Sequence, residues 1–377
     1  MVRFVHSADW QLGMARHFLD ADAQARFSAA RIEAIRRIGA LAASEGCAFV
    51  VVSGDVFESN HLHRQVVLRS LEAMAEVPVP VYLLPGNHDP LDAASIFRSR
   101  PFVSEQPANV HVLDGACSVA VAPCVELVAA PWRTKRPGRD LVAEAVADLA
   151  PDGTTRIVVG HGAVDSLSPD RADTARIGLA AAEAALADGR IHYVALGDRH
   201  SRTDVGTSGR IWYPGAPEPT DFDEIDPGLA LVVDLGPGTC EISAHPIGTW
   251  RFEEHRHELH STADVESLGR WFTALPSKER TVVRLSLTGT LGLEDNARLV
   301  DLIDHHAQLL ASVQRWAKRS DLVVLPSPAD LGHLDLHGFA ARACDELRAT
   351  ASSGADGAGA AADALALLHR LASGRAA

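Results

Sequence analysis

The stretch SADWQLG, residues 7–13, follows the apolar run VRFV near the N-terminus. An apolar run that ends in polar residues is typical of a buried strand, and open α/β sheets bind their ligands at such strand ends. A metal site built on this pattern would carry an imidazole two residues after Asp9, but the sequence has Gln11 there. The stretch therefore raises the question of whether this is an altered metal site or no metal site.

Four further clusters of polar residues follow apolar runs in the same way. They are SGDVFE with Asp55, PGNHD with Asn87 and His88, VGHG with His161, and LGDRHS with Asp198 and His200. Carboxylate, amide and imidazole ligands suit Mn²⁺, Fe or Zn²⁺, whereas a thiolate-preferring site is not indicated. Each cluster alone is a weak signal, since a single Gly-Asp or Gly-His is more often a turn. The ordered set, each member after a buried strand, predicts a functional metal site.

The first half of the chain alternates strand-like and helix-like segments, which predicts an α/β fold. The expected helices cover residues 21–46, 61–76, 139–150 and 175–189. After residue 205 a β-rich return with Pro and Gly turns leads into a smaller α+β domain. That domain is expected to hold the strands RTVVRLSLTG and DLVVLPS and helices over 263–275 and 294–311. The Ala/Gly/Ser-rich residues 351–363 predict a linker, and 364–372 a short terminal helix.

Length, charge and cysteine content limit the class of protein. A length of 377 residues suggests two domains, and no run approaches the ~18 apolar residues of a membrane span. A net charge of −14 argues against a protein that coats nucleic acid, but it does not exclude a nuclease. The N-terminus has no export signal layout. The five scattered cysteines, Cys47, Cys117, Cys124, Cys240 and Cys344, predict free thiols in a reducing cytoplasm.

The densest basic stretch is PWRTKRPGR, which contains Trp132, Arg133, Lys135, Arg136 and Arg139. With its aromatic ring it could contact a DNA backbone or stack on a base. A solvated turn before a helix explains it equally well. A second group, the histidines at 255, 257, 260, 305, 306, 333 and 337, has no ligand-like partners in sequence and is expected to have surface or local hydrogen-bonding roles.

The series GD, GNHD, GH and G-x-x-H after the first aspartate resembles the calcineurin-like metallophosphoesterase superfamily. The segments FVHSADWQLG, YVALGDRHS and WYPGAPEPTDFDE, with GLALVVDL, further resemble the SbcD-type DNA double-strand-break repair nucleases, over about residues 1–250. The resemblance implies a β-sandwich flanked by helices, in α/β/β/α layers, with a smaller α+β capping domain. The implied domains are a nuclease domain over 1–245, a capping or DNA-binding domain over 246–345, and a linker with a partner-binding helix over 346–377.

The resemblance also implies a role for each site residue. Asp55 would bridge two divalent metals; Asp9, Gln11 and His200 would complete one metal site, and Asn87, His161 and Asp198 the other. His88 would stabilise or protonate the leaving oxygen, and Asp89 would orient His88. Two cations about 3.5–4 Å apart polarise a phosphodiester and activate a bridging water.

Two positions depart from the family pattern, because Gln11 and Asp198 stand where the family has two imidazoles. Each metal site keeps three other ligands, so metal binding is expected to survive. An amide and a carboxylate in place of imidazoles favour harder cations, so Mn²⁺ is expected, with Mg²⁺, Fe and Zn²⁺ as alternatives. His6 precedes Asp9 by an odd number of residues and is expected to face away from the site.

The function that the resemblance implies is a metal-dependent DNA exo- or endonuclease in DNA repair. Its partners would be DNA, an SbcC-type SMC-like ATPase docked on the helix LALLHRLA, and a second copy in a homodimer; packing of that helix on its own domain is equally compatible with its pattern. Two other functions stay open. One is a phosphodiesterase for nucleotides or small phosphoesters, and the other is a DNA-end-binding scaffold with little catalysis.

Overall fold

The computed structural model describes residues 1–115, 118–168, 173–324, 338–353 and 357–372. The chain forms two compact units. The first comprises Met1–His17 and Gln24–Trp250, and the second comprises Phe18–Ala23 and the chain from Arg251 onward. The division at 250/251 lies close to the boundary expected at 245/246. The helices beyond residue 345 belong to the second unit.

The first unit is built from two six-stranded sheets and the helices that connect their strands. In chain order its elements are β1 (Val2–Ser7), α1 (Ala21–Ser44), β2 (Val50–Val52), α2 (Arg64–Ala75), β3 (Val81–Leu83), α3 (Arg100–Glu105), β4 (Val110–Val112), β5 (Val119–Ala122), β6 (Val125–Ala129), α4 (Leu141–Val146), β7 (Thr155–His161), α5 (Leu179–Ala187), β8 (Tyr193–Gly197), β9 (Thr203–Val205), β10 (Ile211–Tyr213), β11 (Leu229–Gly236) and β12 (Thr239–Pro246). One sheet has the order β12-β11-β1-β2-β3-β4 and the other β5-β6-β7-β8-β10-β9.

The two sheets pack face to face and each is covered by helices on its other face. Side chains such as Phe4, Ile157 and Tyr193 fill the space between the sheets. The outer face of the first sheet packs against α1, α2 and α3, and that of the second against α4 and α5. Because β2 and β8 are buried on both faces, they are continuous apolar runs, and β7 has the apolar run IVV at its centre. The predicted sandwich flanked by helices is confirmed.

The second unit contains a four-stranded parallel sheet with helices between its strands. Its elements are β13 (Arg251–Leu259), α6 (Thr262–Ala274), β14 (Thr281–Leu291), α7 (Leu293–Ala307), β15 (Ser312–Arg315), β16 (Asp321–Val324), α8 (Phe339–Ser352) and α9 (Ala358–Ala372). The central strand β14 pairs in parallel with β13, β15 and β16. Parallel neighbours require crossover connections, which α6 and α7 supply.

The terminal helix α9 packs within the second unit. Leu365 is fully buried with Cys344 of α8 and Leu293 at the start of α7, while Leu367 remains 55% exposed. Of the two interpretations of LALLHRLA, the structure therefore supports packing on its own domain for at least one face of the helix. The expected linker is largely helical, because α8 ends at Ser352 and α9 begins at Ala358.

The remaining histidines and cysteines have local roles. His255 stacks on Trp271 with ring centroids 3.8 Å apart, and His306 stacks on Phe272. Cys47, Cys124, Cys240 and Cys344 are free thiols, as predicted. Cys117, His333 and His337 lie outside the described residues. No helix among the described residues combines the length and apolar character needed to cross a membrane.

Candidate metal centre

The strand ends of both sheets converge on one site. Asp9 follows β1 and Asp55 follows β2, and their loops are joined by backbone hydrogen bonds from Asp9 N to Gly54 O (3.1 Å) and from Gln11 N to Asp55 O (3.0 Å). From the second sheet, His161 ends β7. The carboxylates of Asp9 and Asp55 and the imidazole of His161 are buried and each places one ligand atom within 4.8 Å of the others.

The backbone at this site is held in an uncommon conformation. Asp9, Gln11, Asp55 and Asp198 have positive φ angles of 54°, 48°, 51° and 97°. They are four of the seven non-glycine residues with positive φ among the described residues. Each such residue costs about 1–3 kcal/mol, and such strain clusters at functional sites. The surrounding structure therefore stabilises these side chains in positions that a relaxed loop would not give them.

Three oxygen atoms lie around one ring nitrogen of His161. His161 Nε2 lies 2.7 Å from Asn87 Oδ1, 3.4 Å from Asp55 Oδ1 and 3.7 Å from Asp198 Oδ1. The other ring nitrogen, Nδ1, donates to Ser53 O at 2.8 Å, which leaves Nε2 to act as a ligand. Ligands at about 2.0–2.2 Å from one ion lie roughly 3–4 Å from each other, so the spacings to Asp55 and Asp198 match a single cation, while the contact with Asn87 is a hydrogen bond. We call Asp55, Asn87, His161 and Asp198 the His161 cradle.

A second set of donors lies around His200. Its Nε2 is 3.9 Å from Asp9 Oδ1, while its Nδ1 bonds Thr220 Oγ1 at 2.6 Å and Glu224 Oε1 at 3.2 Å. A carboxylate behind an imidazole is the usual partner that orients a histidine ligand. We call Asp9, Gln11, Asp55 and His200 the His200 group. The structure thus brings together all seven residues predicted as metal ligands.

Burial and neighbouring charges together raise the pKa values of three groups at the site. Burial raises the pKa of Asp9 to about 7. Burial opposes the charged form of His161, but the carboxylates of Asp55 and Asp198 raise its pKa to about 9. Burial also opposes the charge of His200, whose bond to Glu224 and proximity to Asp9 raise its pKa to about 9. In the metal-free protein the two imidazoliums therefore balance the clustered carboxylates.

These pKa values predict a pH dependence for the stability of the metal-free protein. Between the ordinary histidine pKa of 6.5 and about 9, His161 and His200 hold protons in the folded state that the unfolded chain has lost. We therefore expect the free energy of unfolding to fall as the pH rises through this range. Urea titrations of chelator-treated protein at pH 6.5, 8 and 9 measure it. A free energy that rises over the same interval would contradict the prediction.

The site also contains a buried polar atom that nothing in the described residues satisfies. Gln11 is 1% exposed, and its amide nitrogen donates to Asp55 Oδ2 at 3.0 Å, but its Oε1 has no hydrogen-bond partner there. A buried acceptor without a partner is costly and calls for a ligand, an ion or a water. The carboxylate and imidazole donors fit a centre for two divalent cations, and a turn of the Gln11 amide would give this oxygen a cation as its partner.

His88 and Asp89 have different roles from each other. The ring of His88 is 41% exposed, with Nδ1 bonded to Glu58 O at 3.0 Å and Nε2 3.9 Å from Asp55 Oδ2. Asp89 is fully buried and accepts from Gly86 N at 2.7 Å and from Phe57 N at 2.9 Å. The expectation that Asp89 orients His88 is therefore corrected. Glu58 orients the ring, and Asp89 fixes the two loops that carry Asp55 and His88.

Three residues that support the site were not predicted from the sequence. Arg31 of α1 is buried and donates to Trp10 O at 3.2 Å and to Pro219 O at 2.9 Å, so it joins the loop after β1 to the loop beside His200. Glu224 orients His200, and Glu58 orients His88. The only sequence signals were the glutamates of VFE and DFDE, and a lone arginine on an apolar helix face. Conversely, His6 bonds Tyr193 Oη and Leu196 O, away from the site as predicted.

Gly54 is required for the loop that carries Asp55. Its φ is +93°, and a Cβ there would lie 2.1 Å from His161 Nδ1. We expect Gly54→Ala to lower the free energy of unfolding by about 2–4 kcal/mol and to weaken metal binding, because strain and overlap add. Gly46→Ala is the matched control, since Gly46 has φ +64° and open space around it. Denaturant titration of both variants measures the difference, and equal losses would show that the overlap with His161 is relieved.

The basic stretch fits the second of its two interpretations, because its charged residues lie on an exposed turn before α4. Trp132 is 8% exposed, and its indole N–H donates to His161 O at 2.7 Å. The ring supports the His161 backbone, so the expectation that it stacks on a base is wrong. Arg133, Lys135 and Arg136 are exposed.

A two-sheet sandwich with carboxylate, amide and imidazole donors at its strand ends supports the class of metal-dependent phosphoester hydrolases. The chain belongs to the calcineurin-like phosphoesterase family, whose model matches residues 2–202. Members of this family typically bind two divalent metals, and the donors described above form a candidate site for them.

Three solved structures match this chain, and each match covers 65% of it. The protein TT1561 of Thermus thermophilus is 10% identical with a TM-score of 0.43, over 99% of that chain. A dimetal phosphatase from Danio rerio is 14% identical with a TM-score of 0.40, over 96% of that chain. Purple acid phosphatase PPD1 from yellow lupin seeds is 11% identical with a TM-score of 0.36, over 51% of that chain. No curated protein matches the chain.

Proposed function

We propose that this phosphoesterase is a DNA nuclease that cleaves phosphodiester bonds at a two-metal centre. The observation that carries the hydrolytic chemistry is the position of three side-chain oxygens within 3.7 Å of His161 Nε2. They belong to Asp55, Asn87 and Asp198. The choice of DNA is supported by the SbcD-type segments in the sequence and by an arginine-lined cleft in the same unit.

Each residue has a definite task in this proposal. Bound divalent cations supply Lewis-acid activation of the phosphodiester and of the attacking water. Asp55 contributes oxygens to both donor sets, so it fixes their spacing. Nε2 of the 41% exposed His88 ring lies 3.9 Å from Asp55 Oδ2 and is the group that stabilises or protonates the leaving oxygen in this proposal.

The arginine cleft offers contacts for phosphates beyond the scissile one. Arg133, Arg136 and Arg139 line a cleft of about 320 Å³ together with Pro131 and Thr134. Arg139 pairs with Glu144 at 3.0 Å, and Arg133 donates to Asp114 O, which holds both guanidiniums at the rim. Guanidinium groups bind phosphate oxygens with good geometry, and such contacts supply affinity without base specificity.

Removal of cleft arginines is expected to weaken DNA binding without changing the chemistry. For Arg133→Ala/Arg136→Ala we expect the slope of log affinity against log salt to fall by about one per arginine. Turnover of a small ester is expected to be unchanged. Arg69→Ala, an exposed arginine on α2, is the control. Fluorescence anisotropy with labelled DNA over a salt series measures the slope. An unaltered slope would show that the arginines of the cleft do not contact DNA.

One assay separates the proposal from the other functions. Plasmid and oligonucleotide cleavage with Mn²⁺ is measured beside hydrolysis of bis-p-nitrophenyl phosphate. We expect both substrates to be cleaved. Cleavage of the small ester alone would favour a phosphodiesterase for nucleotides or small phosphoesters. DNA binding without cleavage of either substrate would favour a DNA-end-binding scaffold.

The proposal extends to the biological setting, for which the resemblance is the support. It places the nuclease in DNA repair in the cytoplasm, as a homodimer with an SbcC-type SMC-like ATPase and with Mn²⁺ as the working metal. Copurification with the ATPase and light scattering test the partners. Turnover supported by Zn²⁺ alone would refute the preference for a harder cation.

A further inference from the structure

We propose that the two donor sets bind divalent cations with unequal strength, the His161 cradle tightly and the His200 group weakly, because Gln11 hydrogen-bonds the shared carboxylate. This inference rests on the metal centre of the proposed function and is independent of the identity of the substrate. It concerns the order in which the two cations are bound and the residue that sets that order.

The two donor sets are chemically matched. Each contains two carboxylates, one amide and one imidazole, and Asp55 belongs to both. Each donor set therefore loses one imidazole proton when it binds a cation, and each offers the same formal charge from its two carboxylates. A difference in affinity has to come from geometry, and in particular from the two amides, Asn87 and Gln11.

The two amides have opposite orientations. Asn87 directs Oδ1 into the cradle, 2.7 Å from His161 Nε2, so it already presents an oxygen to a cation. Gln11 directs its NH₂ group to Asp55 Oδ2 at 3.0 Å, so it presents a donor to the position where a cation would bind. Exchange of its N and O atoms would bring two acceptor oxygens 3.0 Å apart, which is repulsive without a cation between them.

In the cradle, Asn87 Oδ1 accepts from His161 Nε2 and already points inward, so loss of the His161 proton leaves this oxygen in place for a cation. Cation binding in the His200 group needs one further step. The cation has to displace a charge-assisted hydrogen bond inside a fully buried site and turn the Gln11 amide. The remaining donors of the group are also more open, with His200 Nε2 3.9 Å from Asp9 Oδ1, whereas every cradle oxygen lies within 3.7 Å of His161 Nε2. We expect the affinities of the two sites to differ by about tenfold or more.

The test is a metal titration of chelator-treated protein. Calorimetry with MnCl₂, checked by elemental analysis after dialysis, counts the ions and measures their affinities. Electron paramagnetic resonance distinguishes isolated Mn²⁺ from spin-coupled pairs. In the wild type we expect two classes of site, with isolated Mn²⁺ at one equivalent and coupled pairs only in excess.

Two variants assign the classes. Gln11→His removes the competing N–H and is expected to strengthen the weaker class about tenfold, with the tighter class within about twofold of the wild type. Asn87→Ala is expected to weaken the tighter class by a similar factor and leave the other. If Gln11→His does not fold, Gln11→Glu has the same length, cannot donate to Asp55, and carries the same expectation.

Two results would overturn the inference. They are two equally tight ions in the wild type, or an unchanged weaker class in the Gln11 variant that folds. Because ion counts and spin coupling do not depend on turnover, a protein that fills its sites in this order but cleaves no phosphodiester would reject the proposed function alone.

Discussion

Asp55→Asn is expected to reduce kcat/KM by about 10³-fold or more and to remove tightly bound metal. Asp55 Oδ1 accepts from His88 N and lies in the His161 cradle, while Oδ2 accepts from Gln11 Nε2 in the His200 group. An asparagine has one oxygen and one NH₂ group, so it cannot serve both donor sets. Loss of the shared ligand removes several kcal/mol of transition-state stabilisation.

The measurement combines steady-state hydrolysis of bis-p-nitrophenyl phosphate with metal analysis of the purified variant. Asp226→Asn is the matched control, because Asp226 has a φ of 50°, close to the 51° of Asp55, and pairs with Arg202 on the surface. Both substitutions remove one negative charge at a left-handed position. Full metal content and wild-type turnover in Asp55→Asn would exclude Asp55 as the shared ligand.

The ligands could be predicted because the fold places the ends of successive strands together. Asp9, Asp55 and His161 each follow a short apolar stretch of a strand, and such a stretch is readable from one sequence. Parallel strands in one sheet end at the same edge, so residues far apart in sequence meet without any knowledge of side-chain contacts. The flanking helices were also predictable, because their apolar periodicity can be read from a local stretch of sequence.

The supporting contacts could not be predicted because they join segments that are distant in sequence. Arg31 reaches carbonyls of residues 10 and 219, and Glu58 orients His88 across 30 positions. The role given to Asp89 failed for a related reason. The resemblance implied that Asp89 orients its neighbour His88, whereas Asp89 bonds the amide of Phe57 in another loop.

Two other errors come from polar patterns with more than one structural solution. Trp132 stands in a basic run, which suggested an exposed ring, but the apolar body of the indole is buried and its N–H bonds His161 O. Strand β13 was missed because RFEEHRHEL carries charges and histidines at most positions. It forms because nine of its residues pair with β14, and that pairing is invisible in the sequence.

His88→Ala is expected to reduce kcat by about 10²–10⁴-fold on a DNA substrate while the metal content stays at the wild-type level. Nδ1 of His88 bonds Glu58 O, so Nε2 is the ring nitrogen left to act on the substrate in the proposed function. The predicted ligand at the neighbouring position is Asn87, so the imidazole itself can be removed without removal of a metal donor. His61→Ala, an exposed histidine in the loop before α2, is the control.

The dependence on the leaving group decides how His88 acts. A nucleoside alkoxide is a poor leaving group and needs a proton, whereas p-nitrophenolate leaves without one. If His88 donates a proton, the loss of kcat in His88→Ala is expected to be large for DNA and much smaller for bis-p-nitrophenyl phosphate. The reason is that only the alkoxide released from DNA needs general acid catalysis. If the imidazole only stabilises negative charge on the phosphoryl group, both substrates lose activity by a similar factor. Loss of metal from His88→Ala would contradict both roles, since it would make His88 part of the metal site.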